Sequence, residues 1–292
     1  MRINTNEETL MSVTQEELEE FSAYLKKRGA AKNTIISYQS AVRQYFLHFT
    51  EITVSQLLSY RKYLIRSYLP NTVNARIYGI NQYLRYLDNL HGTTSVLVEN
   101  YHVPAVKRQQ KSFMDNVISN EDYESLKKHL KQDRNFLWYF IVRFLGATGA
   151  RVSELVQIKV EHLQLGYIDL YSKGGKIRRI YFPDTLCCEC LTWLYRRQIS
   201  SGFIFVNRQK KPISPRGINS QLKKLARLYG IDPNTVYAHS FRHLYAKNFL
   251  QKFNDISLLA DLLGHESIET TKIYLTQSSA EQKALLDKII VW

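Results

Sequence analysis

Residues 239–274 open with His239-Ser-Phe-Arg242-His243 and close with Leu262-Leu-Gly-His265-Glu-Ser-Ile-Glu-Thr-Thr-Lys-Ile-Tyr274. On a helix His239 and Arg242 stand three apart and share a face, an imidazole beside a guanidinium. His265 follows Gly264, a residue type that stops helices, and the phenol of Tyr274 comes shortly after. Two imidazoles, a fixed cation and a nucleophile of modest strength form a toolkit for attacking a phosphodiester. Such a site needs no metal or other cofactor. His239 and His243 also stand at i and i+4, a zinc-protease spacing, but that motif requires Glu where this chain has Ser240.

Moving outward, the patterning predicts helices around 186–199, 214–229, 240–252, 256–263 and 268–274, with Asn254 in a left-handed turn position. Ile168–Tyr171 and Ile180–Phe182 alternate like strands. Between them Ser172-Lys173-Gly-Gly-Lys176 makes a glycine hairpin with lysines at its tip. It is no P-loop, because the first glycine and the Ser/Thr after the lysine are missing. Upstream, an apolar helix over Phe136–Leu145 runs into Gly146-Ala-Thr-Gly149-Ala-Arg151. The next helix begins at Val152 or Ser153, so Arg151 stands where a turn meets a helix N-terminus and backbone N–H groups favour anions. Ser119 and Asp122 form a capping-box pattern that opens this second domain, 114–292.

Pro104 to Ser112 holds Lys107, Arg108 and Lys111 among glutamines without periodicity, and reads as an exposed basic linker over 104–113. Before it, residues 14–103 carry four amphipathic helices with short joints, the first opened by Thr14 and Glu17. Their expected exposed sides hold Lys32, Arg43, Asn74, Arg76 and Arg85, candidates for contact with a phosphate backbone. Most of the tyrosines fall on the apolar stripes and belong to the core. Residues 1–13 are a loose leader. Beyond Tyr274, Ser278 or Ser279 caps a last helix with Ala284, Leu285, Ile289 and Ile290, ending in Trp292.

The 292 residues are 45% apolar, enough for one large or two ordinary domains. The formal charge is +14 and the sequence pI about 9.5, as a polyanion binder requires. Residues 1–20 hold six acids against Arg2, so the remainder sets 39 basic against 20 acidic side chains. Glu7 and Glu8 sit where a signal peptide needs an apolar core, and the apolar run Phe136–Val142 is too short for a bilayer. Three cysteines argue against a disulfide framework and for a reducing cytoplasm. Cys187, Cys188 and Cys190, with Leu191 and Leu194, read as a buried helix face.

These motifs resemble the tyrosine recombinases of the phage and transposon integrase family, and among them the short Xer-like type that resolves chromosome dimers. The resemblance covers nearly the whole chain. It is carried by Ala147-Thr-Gly-Ala-Arg151-Val-Ser-Glu-Leu155, Ser172-Lys-Gly-Gly-Lys176, His239-Ser-Phe-Arg242-His, and Leu263-Gly-His265 through Tyr274. It implies a mainly α fold with a small antiparallel β-sheet: a two-domain C-shaped clamp of N-terminal helical bundle and catalytic domain. It also implies six catalytic residues, Arg151, Lys173, His239, Arg242, His265 and Tyr274. Lys173 and Lys176 flank the same two glycines, so the choice of Lys173 follows the family pattern alone. Phe241 stands where leucine is common and Leu244 where threonine is common.

The implied activity is cleavage and rejoining of duplex DNA through a 3′-phosphotyrosyl intermediate and a four-way junction, without metal or ATP. A phenol ordinarily has a pKa of about 10 and must lose its proton as it attacks. Two guanidiniums could each contribute roughly 3 kcal/mol to the charged transition state, by analogy with oxyanion-hole donors. A lysine held near other cations releases a proton to the leaving 5′ oxygen. The implied partners are double-stranded DNA and three further copies of the chain, with exchange of C-terminal helices; an accessory directionality factor is compatible with this. Two other readings remain, a type IB topoisomerase-like activity and a catalytically silent DNA-binding protein on the same fold.

Overall fold

The computed structural model describes residues 13–91, 101–107, 116–171, 177–264 and 267–275, together with 283, 286 and 287. The chain divides into two compact units, Met1–Gln110 and Lys111–Trp292. Among the described residues no helix is long and apolar enough to cross a membrane.

The first unit is built from α1 (Gln15–Lys27), α2 (Lys32–Phe46), α3 (Val54–Ser67) and α4 (Pro70–His91). The start of α1 is fixed reciprocally: the Glu17 N–H donates to Thr14 Oγ1 at 3.1 Å and the Thr14 N–H donates to Glu17 Oε2 at 2.7 Å. The apolar stripes then meet, with Leu18, Phe21 and Leu25 facing Tyr45, Tyr60, Leu64, Ile77 and Leu84 in one core. Burying each such side chain contributes about 2 kcal/mol. Two of the core rings, Tyr45 and Tyr60, meet edge to face at 5.1 Å between centroids. Helices α2 and α4 cross closely at Gly79, where a Cβ would fall 2.6 Å from that of Ala41.

One expectation for this unit is corrected. Asn74 is not on an exposed face: it is only 2% exposed. Its amide donates to the Val106 carbonyl at 3.0 Å and its carbonyl accepts from the Val106 N–H at 2.8 Å. One heptad on, Asn81 makes the same two-way pairing with Val103, at 3.0 and 2.9 Å. Arg61 Nε adds a bond to the Pro104 carbonyl at 2.9 Å. The stretch 104–107 is therefore bonded along α3 and α4, while Pro104, Ala105 and Lys107 stay exposed. Unpaired peptide groups in such a strap need partners, and the short amide of a single asparagine supplies donor and acceptor together.

The second unit comprises α5 (Asn120–Gln132), α6 (Phe136–Thr148), α7 (Val152–Leu155), α8 (Val160–Leu165), β1 (Tyr167–Tyr171) and β2 (Ile177–Tyr181). It continues with α9 (Asp184–Arg196), α10 (Pro215–Leu228), α11 (Ala238–Phe253), α12 (Ile256–Leu263) and α13 (Ile268–Lys272), then a 3-10 turn at Ile273–Leu275. Helix α6 is apolar on most sides and buries Phe140, Ile141, Val142, Phe144 and Leu145 at the centre of the larger core. Cys187 and Cys190 join that core; Cys188 is exposed, which corrects its reading as a buried residue.

Strands β1 and β2 pair antiparallel with Ile168 opposite Ile180 and Asp169 opposite Arg179. The second strand begins at Ile177, earlier than the alternation suggested. Arg178 and Arg179 look unlike strand residues, but Arg179 reaches across to Asp169 with two bonds of 2.7 Å. The hairpin turn expected at Ser172–Lys176, most of the C-terminal helix expected after Ser278, and the expected leader up to residue 12 lie outside the described residues.

Candidate active site

Three helix termini converge in the second unit. Helix α6 ends at Gly149, whose left-handed backbone (φ +60°) turns its carbonyl inward. Its Cα packs on Tyr245, and a Cβ would lie 2.6 Å from that ring. Helix α12 ends the same way at Gly264 (φ +63°). Helix α7 begins immediately after Arg151, with backbone and side chain of Arg151 both donating to Glu154, at 2.7 and 2.8 Å.

Arg242 ties these ends together. Its guanidinium donates to the Gly149 carbonyl at 2.8 Å and to the Leu263 carbonyl at 2.7 Å, and the residue is 1% exposed. A cation at two helix C-termini meets the negative ends of two peptide dipoles. Burial lowers the Arg242 pKa, and Arg151 and Arg178 add to this while Tyr274 opposes it. Guanidinium nevertheless stays charged in proteins.

The last carbonyls of α12 face three arginines in succession. Leu262 accepts from Arg178 at 3.1 Å, Leu263 from Arg242, and Gly264 lies 3.5 Å from Arg151 Nη2. Glu154 joins two of them, pairing with both Arg151 and Arg178. Burial alone would raise the Glu154 pKa, but Arg178 and the bonds from Arg151 outweigh it and hold the carboxyl below its ordinary range.

His239 lies in the first turn of α11, one turn before Arg242, at the exposed mouth of the site. Partial desolvation of its ring, then the charges of Arg242 and Arg151, lower its pKa. Beneath it His243 is buried and meets the His239 ring edge-on at 4.5 Å. Burial, then His239 and Arg242, lower the His243 pKa to about 4, so this imidazole is neutral at ordinary pH. Tyr274 closes the site: it is 4% exposed, packs with Ala246, Leu250, Leu259 and Leu263, and meets His243 edge to face at 5.0 Å. Its side chain hydrogen-bonds with Arg242.

Four of the six residues that the sequence singled out, Arg151, His239, Arg242 and Tyr274, are thus gathered in one place. Lys173 and His265 lie outside the described residues. Their described neighbours Tyr171 and Gly264 line a cleft of about 680 Å³ together with Arg151, Glu154 and Arg178. Among the described residues no three His, Cys, Asp or Glu gather as a metal site. In the first unit Lys32, Arg43, Arg85 and Lys107 are exposed, and Arg76 is half-buried with a 2.7 Å bond to Ser40 Oγ. Lys32 and Arg43, three helical turns apart, share one side of α2. Arg108 and Lys111 lie outside the described residues.

Sequence reasoning missed Arg178 altogether, gave Glu154 no role beyond its place in the Arg151 motif, and considered His243 only as a zinc ligand. The signal for Arg178 was its parity. It stands two positions from buried Ile180, on the inward face of β2.

Chemically, the site surrounds one small volume with fixed cations, a neutral imidazole and a phenol, as addition to a phosphodiester requires. The sequence profile of the Phage integrase family matches residues 116–281. Tyrosine recombinase XerA of Pyrococcus furiosus is 30% identical over 289 residues, 97% of this chain and 96% of that protein. Tyrosine recombinase XerC of Rickettsia prowazekii is 30% identical over 288 residues, 91% of this chain and 93% of that one. Among solved structures, XerH site-specific recombinase bound to palindromic difH substrate superposes with a TM-score of 0.70 at 19% identity, covering 94% of this chain and 84% of that one. A lambda integrase dimer bound to a core site gives 0.68 at 16% identity, covering 89% and 94%.

Proposed function

Starting from the premise that this chain belongs to the Phage integrase family, we propose how its own residues carry out strand exchange. The protein is a site-specific tyrosine recombinase, an enzyme that breaks and rejoins duplex DNA. Tyr274 is the nucleophile. Its hydroxyl oxygen attacks the scissile phosphorus and loses its proton, and the 5′ oxygen departs carrying a proton supplied by Lys173. Arg151 and Arg242 hold the non-bridging oxygens as charge accumulates there. His239 and His265 hold the phosphate and manage the phenolic proton, a task that suits a neutral imidazole.

The product is a 3′-phosphotyrosyl bond. It stores the energy of the broken phosphodiester, so a free 5′-hydroxyl from a second duplex reverses the step on a new partner without ATP. The observation that carries this reading is Arg242: buried, bonded to two helix ends, and hydrogen-bonded to Tyr274. The nucleophile and its electrostatic partner lie within one chain.

The N-terminal domain, 14–103, grips the core site, with Lys32, Arg43 and Arg76 contacting phosphates; Lys107, Arg108 and Lys111 extend that basic run through the linker toward the catalytic domain, 114–292. Four protomers hold two duplexes through a four-way junction. The apolar residues Ala284, Leu285, Ile289, Ile290 and Trp292 dock the C-terminal helix on a neighbour, and an accessory factor sets direction. The protein works in the cytoplasm, where its DNA is.

A plasmid carrying two marked copies of the target site tests the activity. Exchange of the flanking markers is expected. Relaxation of supercoils without exchange would instead fit a topoisomerase, and footprints without either product a silent binder.

A further inference from the structure

Arg178 lies outside the residues that the family resemblance singles out, yet it bonds both to α7 and to the end of α12. One Nη donates to Glu154 Oε1, the oxygen that also accepts from Arg151. The other donates to the Leu262 carbonyl at 3.1 Å, beside the Leu263 carbonyl held by Arg242. Gly264 packs on its aliphatic stem so closely that a Cβ there would fall 2.2 Å from Arg178 Cδ. The side chain is 10% exposed, against 42% for Arg151. Arg151 is therefore the more open of the two to a duplex.

Charge balance gives this arrangement a purpose. Glu154 alone with Arg151 would form a neutral pair, and the guanidinium facing the phosphate would lose most of its field. With Arg178 sharing the same carboxylate, two cations stand against one anion, and a net positive charge remains on the exposed side. Arg178 also joins β2 to the end of α12, so it fixes Arg151 relative to Arg242.

We propose that Arg178 is a positioning residue for strand cleavage, holding Arg151 oriented through Glu154 and offsetting that carboxylate's charge, while anchoring the α12 terminus beside Arg242. The proposal rests on the reading of Arg151 and Arg242 as the phosphate-binding pair.

A double-mutant cycle tests it, using covalent-complex formation on a nicked target duplex under saturating enzyme, with binding measured separately. Arg178→Gln is expected to slow cleavage roughly 30-fold while changing duplex affinity less than about 3-fold. In an Arg151→Ala background the same substitution should cost less than about 3-fold further, because most of its effect passes through Arg151. If Arg178→Gln does not fold, judged by thermal melting, Arg178→Lys completes the same cycle: lysine keeps the charge but cannot fork to two acceptors. Full-rate cleavage by the Arg178 variant, or losses that multiply in the double variant, overturns the inference alone. Full-rate cleavage by Arg151→Ala overturns the assignment of the site, and the inference with it.

Discussion

Arg242 donates a hydrogen bond to the Tyr274 hydroxyl oxygen, and the two residues are almost sealed from solvent. The guanidinium's other bonds go to the Gly149 and Leu263 carbonyls, so it cannot follow the tyrosine if that ring moves. Arg242→Ala should destabilise the second unit by about 3–5 kcal/mol, since it leaves buried carbonyls unpaired and opens a cavity. Arg242→Lys keeps the charge but cannot serve both carbonyls and a phosphate. It should slow covalent-complex formation on nicked DNA at least about 100-fold while duplex binding persists. A lysine variant cleaving at the parental rate would remove Arg242 from the mechanism.

Acid should destabilise the second unit through His243. Its folded-state pKa is about 4, below the ordinary 6.5, so below pH 6.5 the unfolded chain takes up a proton that the folded chain refuses. The stability present above pH 6.5 is lost progressively down to about pH 4, reaching about 3 kcal/mol. His243→Phe keeps a ring against Tyr274 and removes the ionisation. The difference between parent and variant in urea melts should therefore grow from pH 7 to pH 4, and a constant difference would contradict it.

The cleavage rate has its own pH signature. The His239 pKa is lowered, first by desolvation and then by Arg242 and Arg151, so its neutral form survives to lower pH than an ordinary imidazole. The acid limb of single-turnover cleavage should have its midpoint below pH 6.5, and His239→Gln should abolish that limb. A midpoint above 6.5 would assign the limb to another group.

The strap over 101–107 should come loose when its asparagines are removed. Asn74→Ala and Asn81→Ala each leave two peptide groups unpaired and should cost about 1–3 kcal/mol in the first unit. Hydrogen exchange at the Val103 and Val106 amides should accelerate with either change. Unaltered exchange would mean the strap is held by other contacts.

Much of this was readable in the residues because local rules and tertiary packing agree. The Thr14–Glu17 pair opens α1, Asn254 takes the left-handed turn (φ +48°), and Gly264 stops α12 ahead of the site. The misses occur where long-range partners decide. Asn74 looks like a surface polar residue until the strap arrives, 32 residues later, to bond its amide. Arg178 resembles a hairpin cation until the end of α12 is folded against it. Both are polar groups buried because a distant backbone supplies their partners, and no local period records that.

The central claim is that Tyr274 becomes bonded to the cleaved strand. The most direct measurement digests the covalent complex trapped on a nicked target duplex and identifies the nucleotide-bearing peptide by mass spectrometry, for the parent and for Tyr274→Phe. The predicted result is a 3′-phosphonucleotide on the peptide containing Tyr274 in the parent, and sequence-specific binding with no adduct in the variant. An adduct on another residue, or one that persists in Tyr274→Phe, would contradict the account.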